Sequence, residues 1–130
     1  MPKEVLVYAD AARETRQLLE MWGLGVVIFS DEMITHRVGG YQAAKFDMEH
    51  YEGQAIELAL TKCNSMGMDA GVIFNDNRNA VYNAQEKRGK FGIRYVYEEN
   101  VPVLHAASFK FAHKEAKAAL KEAIAKLEEG

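Results

Sequence analysis

Three carboxylates stand out for where they sit in the chain. Asp10 closes the apolar run Glu4-Val5-Leu6-Val7-Tyr8-Ala9, and Asp76 closes the similar run Gly71-Val72-Ile73-Phe74-Asn75. Both runs are short, partly β-branched and aromatic, and apolar on both faces, as central parallel strands covered by helices are. If the two strands are neighbours, their backbones lie about 4.8 Å apart, and the terminal aspartates come close together. Close carboxylates repel unless a cation or a proton sits between them. Glu52 is the third piece. On a helical wheel it falls in line with Ala55, Ile56 and Ala59, away from the polar side of Glu57 and Thr61. Glutamate is rarely buried without a partner. Either Glu52 is partly solvated near a helix start and helped by the helix dipole, or it points at the aspartates and shares their cation. Asp76 has an alternative role too, as the N-cap of a following helix. Each acid alone is unspecific; the order strand-Asp, helix-Glu, strand-Asp is far more specific.

The elements that must position these groups read as follows. A first strand covers about residues 4–10. Residues 11–20 form a polar connection with helical propensity. Trp22–Ser30 is a second strand, and the turn Ser30-Asp31-Glu32 leads to a third near Met33–Val38, which Gly39-Gly40 ends. A helix over Met48–Ser65 turns Ala55, Ile56, Ala59, Leu60 and Cys63 inward and is capped by Gly67. After the 71–76 strand comes a helix from Asn77 to about Glu86, capped by Asn75 or Asp76, with Ala80, Val81 and Ala84 inward. Phe91–Asn100 reads as a strand or a crossover. Val101–Ala106 is the expected last strand, and Ala112–Glu129 the final helix, with Ala116, Ala119, Leu120, Ala123, Ile124 and Leu127 inward. This order gives a mixed sheet with helices packed on it.

Composition narrows the class. The 130 residues suit a single domain, and a net charge of -3 disfavours holding nucleic acid by a generally basic surface. Cys63 is the only cysteine, so no intrachain disulfide forms, and its place on the core stripe reads as a buried small hydrophobe. No serine or cysteine has a compelling histidine partner for covalent catalysis. No apolar run is long enough to span a bilayer and none reads as a signal region; a cytoplasmic protein is expected.

Four segments together carry a resemblance. They are Tyr8-Ala9-Asp10, Trp22-Gly23-Leu24-Gly25-Val26-Val27, Glu52-x-x-Ala55-Ile56-x-Leu58-Ala59-Leu60 and Phe74-Asn75-Asp76-Asn77. In order and spacing, over nearly the whole chain, the sequence resembles type 1 ribonuclease H and the wider ribonuclease H-like superfamily. The resemblance implies one α/β domain, residues 1–130. Its five-stranded mixed sheet has three antiparallel strands first, with the first strand central and parallel to the fourth, and helices flank it. It implies that Asp10, Glu52 and Asp76 hold two Mg2+ or Mn2+ ions, which hard oxygen ligands select. The implied activity is endonucleolytic hydrolysis of the RNA strand of RNA–DNA hybrids by a two-metal-ion mechanism.

The family's fourth acid stands at the start of the last helix. Counted from His105 it falls on Glu115; aligned through Ala116 it falls on Lys117, which cannot ligate while charged. His105, read as ending the last strand, either matches the family's loop histidine, which assists proton transfer or product release, or is a satisfied edge histidine. His113 stands near the site from the final helix or packs only. The family's glycine-rich loop is replaced by Ala11–Glu20 and its Thr-Asn-Asn segment by Glu49-His50-Tyr51, so the features that read the hybrid differ more than the metal site does. Arg13, Arg16 and Arg78 are the foremost expected phosphate contacts. The alternatives are a catalytically weak or inactive module of this fold that binds nucleic acid or a protein, and a nuclease of the fold with another substrate.

Overall fold

The computed structural model of the protein describes residues 4–16, 18–88, 94–97 and 103–129. The elements in chain order are β1 (Glu4–Arg16), β2 (Leu19–Phe29), β3 (Met33–Gln42), α1 (Met48–Ser65), β4 (Asp69–Asn75), α2 (Arg78–Arg88), β5 (Arg94–Tyr97) and α3 (Val103–Glu129). The five strands form one sheet in the order β3-β2-β1-β4-β5. β1 is antiparallel to β2 and parallel to β4, β2 is antiparallel to β3, and β4 is parallel to β5. The first strand is central, as expected. No described helix is long and apolar enough to cross a membrane.

Alternation along β1 divides the core. Val5, Val7, Ala9 and Ala11 pack with Tyr51, Ala55, Ile56, Ala59 and Leu60 of α1 and with Ala80 and Val81 of α2. Tyr8 belongs to the opposite face with Val27, Val72, Phe74 and Ala112 of α3. Tyr8 stacks on Phe74 at 4.8 Å between ring centroids. The α1 stripe is buried as its spacing requires, with Glu52 inside it. Asp47 caps α1 by accepting from His50 N at 3.1 Å, and Gly67 follows its end at a φ of +67°.

Three expectations are corrected. Residues 11–16 are not a polar connection; they continue β1, paired with β2 from Ala11–Leu24 to Arg16–Leu19. The turn places Leu18 at a φ of 68°, with none of the Asn-Gly or Asp-Gly chemistry that marks such a turn in a sequence. Gly39 and Gly40 do not end β3; they lie within it. The last strand is Arg94–Tyr97, whereas residues 103–106 are helical and open α3; residues 101 and 102 lie outside the described residues.

The hairpin extension buries a further carboxylate, Glu20. Glu20 accepts from the Tyr51 hydroxyl and, at 2.9 Å, from Phe46 N, with Arg13 Nη1 3.8 Å away. The Tyr51 hydroxyl bond, ahead of the opposing cost of burial, holds the Glu20 carboxyl below its ordinary range. Gln42 donates to Tyr51 at 3.1 Å. Arg13 also bonds Phe46 O, so the hairpin grips the segment that leads into α1 and hence the residue before Glu52.

On the opposite face α3 presses directly on the sheet. A Cβ placed on Gly23, Gly25 or Gly39 would lie under 3.0 Å from α3 backbone atoms of Ala116, Ala112 or Ala119 respectively. The helix presents small side chains there: among its described side chains Ala112, Ala116, Ala119 and Ala123 are the buried ones, while Leu120, Ile124 and Leu127 are half-buried.

Candidate metal centre

Asp10 lies at the level where β4 stops pairing with β1, since the last parallel pair is Tyr8–Phe74. Glu52 reaches Asp10 at that level from α1. Asn75 finishes β4 with its side chain turned inward. Its amide donates to Ala9 O at 3.0 Å and its oxygen accepts from Asn77 N at 2.8 Å. Asn75 is fully buried, so this pair of bonds ties the end of β4 to β1 one residue before each aspartate.

The cap of α2 is neither Asn75 nor Asp76. Asn77 Oδ1 accepts from Ala80 N at 2.9 Å, which releases Asp76 for the cluster. Replacing Asn77 by alanine is expected to cost about 1 kcal/mol of stability, read from the midpoint of urea unfolding.

One carboxylate oxygen from each of Asp10, Glu52 and Asp76 lies within 4.8 Å of the others. Asp10 and Glu52 are buried and Asp76 is exposed. The electrostatics follow from that burial. Desolvation, then the negative charge of Asp76, pushes the Asp10 carboxyl up to about 6, against the lowering bond from His113. Desolvation, then its bond with Asp76 and the charge of Asp10, pushes Glu52 up to about 12. Glu52 Oε1 is buried and has no hydrogen-bond partner. A buried carboxylate oxygen without a partner is costly; a divalent cation among three carboxylates supplies what it lacks. The donor set is all oxygen and suits a hard cation. The residues present therefore fit the expected ion.

Among the described side chains, the late histidine at the site is His113. Its Nδ1 stands 2.7 Å from Asp10 Oδ2. Glu115 does not join the cluster. Its Oε2 pairs with Arg37 Nη1 of β3 at 3.1 Å, because two residues along a helix turn a side chain by about 200° from His113. His105 is helical, not at a strand end, and its side chain lies outside the described residues. Arg16 pairs with Glu14 and, at 3.0 Å, with Glu128, so it and Arg13 already hold partners within the chain. Arg78 opens α2, two residues after Asp76. The roles that sequence reading missed are those of Asn75, which ties β4 to β1, and Asn77, which caps α2; both are side chains able to bond the backbone at a strand-to-helix junction.

The fold can be placed among known structures. The compost-derived LC11 ribonuclease H1 superposes at a TM-score of 0.63 with 20% identity, over 95% of this chain and 99% of that one. The chain has the ribonuclease H-like fold. A second LC11 ribonuclease H1 structure, in complex with an RNA/DNA hybrid, matches at a TM-score of 0.63 and 18% identity over 92% of this chain and 99% of that one. Ribonuclease H1 of the halophilic archaeon Halobacterium salinarum gives 0.60 and 20% over 92% and 99%. No family model matches the sequence, and no curated protein does. Within the ribonuclease H-like fold, then, the three carboxylates converge at the centre of the sheet, around its first strand.

Proposed function

We propose that the protein is a divalent-cation-dependent nuclease that hydrolyses the RNA strand of RNA–DNA hybrids. The observation that carries this reading is the convergence of Asp10, Glu52 and Asp76 around a buried, unpartnered Glu52 oxygen, within a fold shared with a protein crystallised on such a hybrid. Two bound Mg2+ or Mn2+ ions would supply an activated water and stabilisation of the leaving oxygen. The chain's own residues hold the centre. Asp10 is fixed on the central strand and is the carboxylate common to the cluster and to His113. Glu52 is held rigidly by the buried face of α1. Asp76, just past the end of β4, is the one of the three acids that is exposed to solvent. Asn75 keeps Asp76 in register with Asp10 through its bond to Ala9.

The long β1–β2 hairpin favours a second reading, a nuclease of the same fold with another duplex as substrate. It stands where the resemblance implies a glycine-rich, hybrid-contacting loop, and its two arginines bond within the chain. A panel of end-labelled substrates with Mg2+ or Mn2+ separates the two. The proposal expects the RNA strand of the hybrid to be cut, with cutting lost in chelator and in Asp10→Asn. Cutting of an RNA duplex or structured DNA in preference to the hybrid supports the second reading. An uncut panel, or cutting indifferent to chelator and to Asp10→Asn, overturns both.

A further inference from the structure

We propose that His113 is itself a ligand of the cation centre, a nitrogen donor in place of a fourth carboxylate. This rests on the reading of Asp10, Glu52 and Asp76 as cation ligands. The acid expected from the last helix is committed elsewhere, Glu115 to Arg37 at 3.1 Å. The side chain that α3 does bring to the centre is His113, with Nδ1 2.7 Å from Asp10 Oδ2. Two donor atoms on adjacent corners of an octahedral site with bonds near 2.1 Å lie about 3 Å apart. The His113–Asp10 spacing is close to that value. The imidazole side chain is 52% exposed, so the proton of its neutral form can reside on Nε2 toward water, leaving the Nδ1 lone pair directed at the centre.

The placement is built into the sheet. Asp10 on β1 pairs with Gly25 on β2, and Gly25 is where the backbone of Ala112 and Ala116 rests. One residue after Ala112, His113 is thus set beside Asp10 by helix-to-backbone contact rather than by a flexible loop. His113 is not one of the three residues that converge within 4.8 Å; it meets the centre through Asp10, which both share. A set of carboxylates plus one imidazole ranks cations differently from carboxylates alone. Imidazole suits transition ions, whereas Mg2+ favours oxygen. The centre is therefore expected to prefer Mn2+ over Mg2+.

The test loads the full-length chain with Mn2+ and records electron spin-echo modulation, in which a directly bound imidazole nitrogen is visible. Wild type should show nitrogen modulation. His113→Asp should still bind Mn2+, lose the modulation, and shift its preference toward Mg2+; His113→Gln serves the same comparison for modulation if aspartate there unsettles the fold. Mn2+ binding that depends on Asp10 but carries no nitrogen signal in wild type would overturn the ligand role and leave the carboxylate centre standing. So would a signal that persists without His113, and His113 would then only steady Asp10 by a hydrogen bond. No Mn2+ binding in wild type, or equal binding in Asp10→Asn, would overturn the carboxylate centre and this proposal with it.

Discussion

Replacing Glu52 by glutamine raises the melting temperature of the cation-free protein. Glu52 is held in a site that penalises its charge, pushed up to about 12 by burial and by its acidic neighbours. Asp10 is pushed up to about 6 by burial and Asp76. Both groups bind a proton more tightly folded than unfolded. The stability they permit is therefore full below their unfolded values, 4.5 and 3.8, and is lost as pH rises through the folded ones. In chelator the wild-type protein should lose stability from mildly acid pH through neutrality, and Glu52→Gln should flatten that slope. At neutral pH the gain is about 1–3 kcal/mol, the cost of a buried, imperfectly paired polar group, or several degrees in midpoint. Added Mn2+ reverses the order, because wild type binds the cation more tightly and gains more by binding. Thermal melts across pH, with and without the cation, measure both effects. A variant less stable than wild type in chelator would show that Glu52 is already well satisfied.

Replacing Gly25 by alanine is expected to be the most damaging small substitution in the sheet. The new Cβ would lie under 3.0 Å from Ala112 O, Ala116 N and Glu115 Cβ. Backbone atoms cannot rotate aside, so α3 must lift from β2. Overpacking of this kind costs about 3 kcal/mol, about 10 °C in a domain of this size. The lift also draws His113 from Asp10, so the change reaches the cation centre from the far side of the strand. Gly53→Ala is the control. It lies within α1 with nothing within 4 Å of its would-be Cβ, and should stabilise by about 0.5–1 kcal/mol through helix propensity alone. Calorimetric melts of the two variants should therefore move in opposite directions. Equal, small effects would contradict the close seating of α3.

The same seating explains what the sequence left open. The α1 stripe is legible because a run of apolar residues at helical spacing has one orientation that buries it, and Glu52 falls inside that run. Asp10 and Asp76 are legible because each follows a run apolar on both faces, although β1 continues past Asp10 to Arg16. The last helix is not legible in the same way. Its inner face is alanine, and alanine fits many rotations equally well. The rotation is chosen by glycines on β2 and β3, far away in sequence, and it decides between His113 and Glu115. The hairpin was hidden for a related reason. Arg13, Glu14, Thr15 and Arg16 read as solvent-facing connection, yet pairing with Leu19–Trp22 makes them strand. The buried Glu20–Tyr51 pair that anchors this extension joins residues 31 apart, a link that local patterning does not contain. The run Val101–Ala106 reads as a strand because it is apolar and follows an ambiguous stretch; residues 103–106 open α3 instead.

The central claim is that Asp10, Glu52 and Asp76 form a divalent-cation site, in which burial and mutual repulsion penalise the charges of Asp10 and Glu52 that a cation compensates. Calorimetric titration of Mn2+ into the protein near neutral pH, repeated in buffers of different ionisation enthalpy, tests it most directly. Glu52 enters the titration protonated, and a carboxylate must lose its proton to ligate. Binding should therefore release about one proton per protein, seen as an apparent enthalpy that varies with the buffer, and Glu52→Gln should bind weakly and release none. No binding heat, or a binding enthalpy that is the same in every buffer, would contradict it.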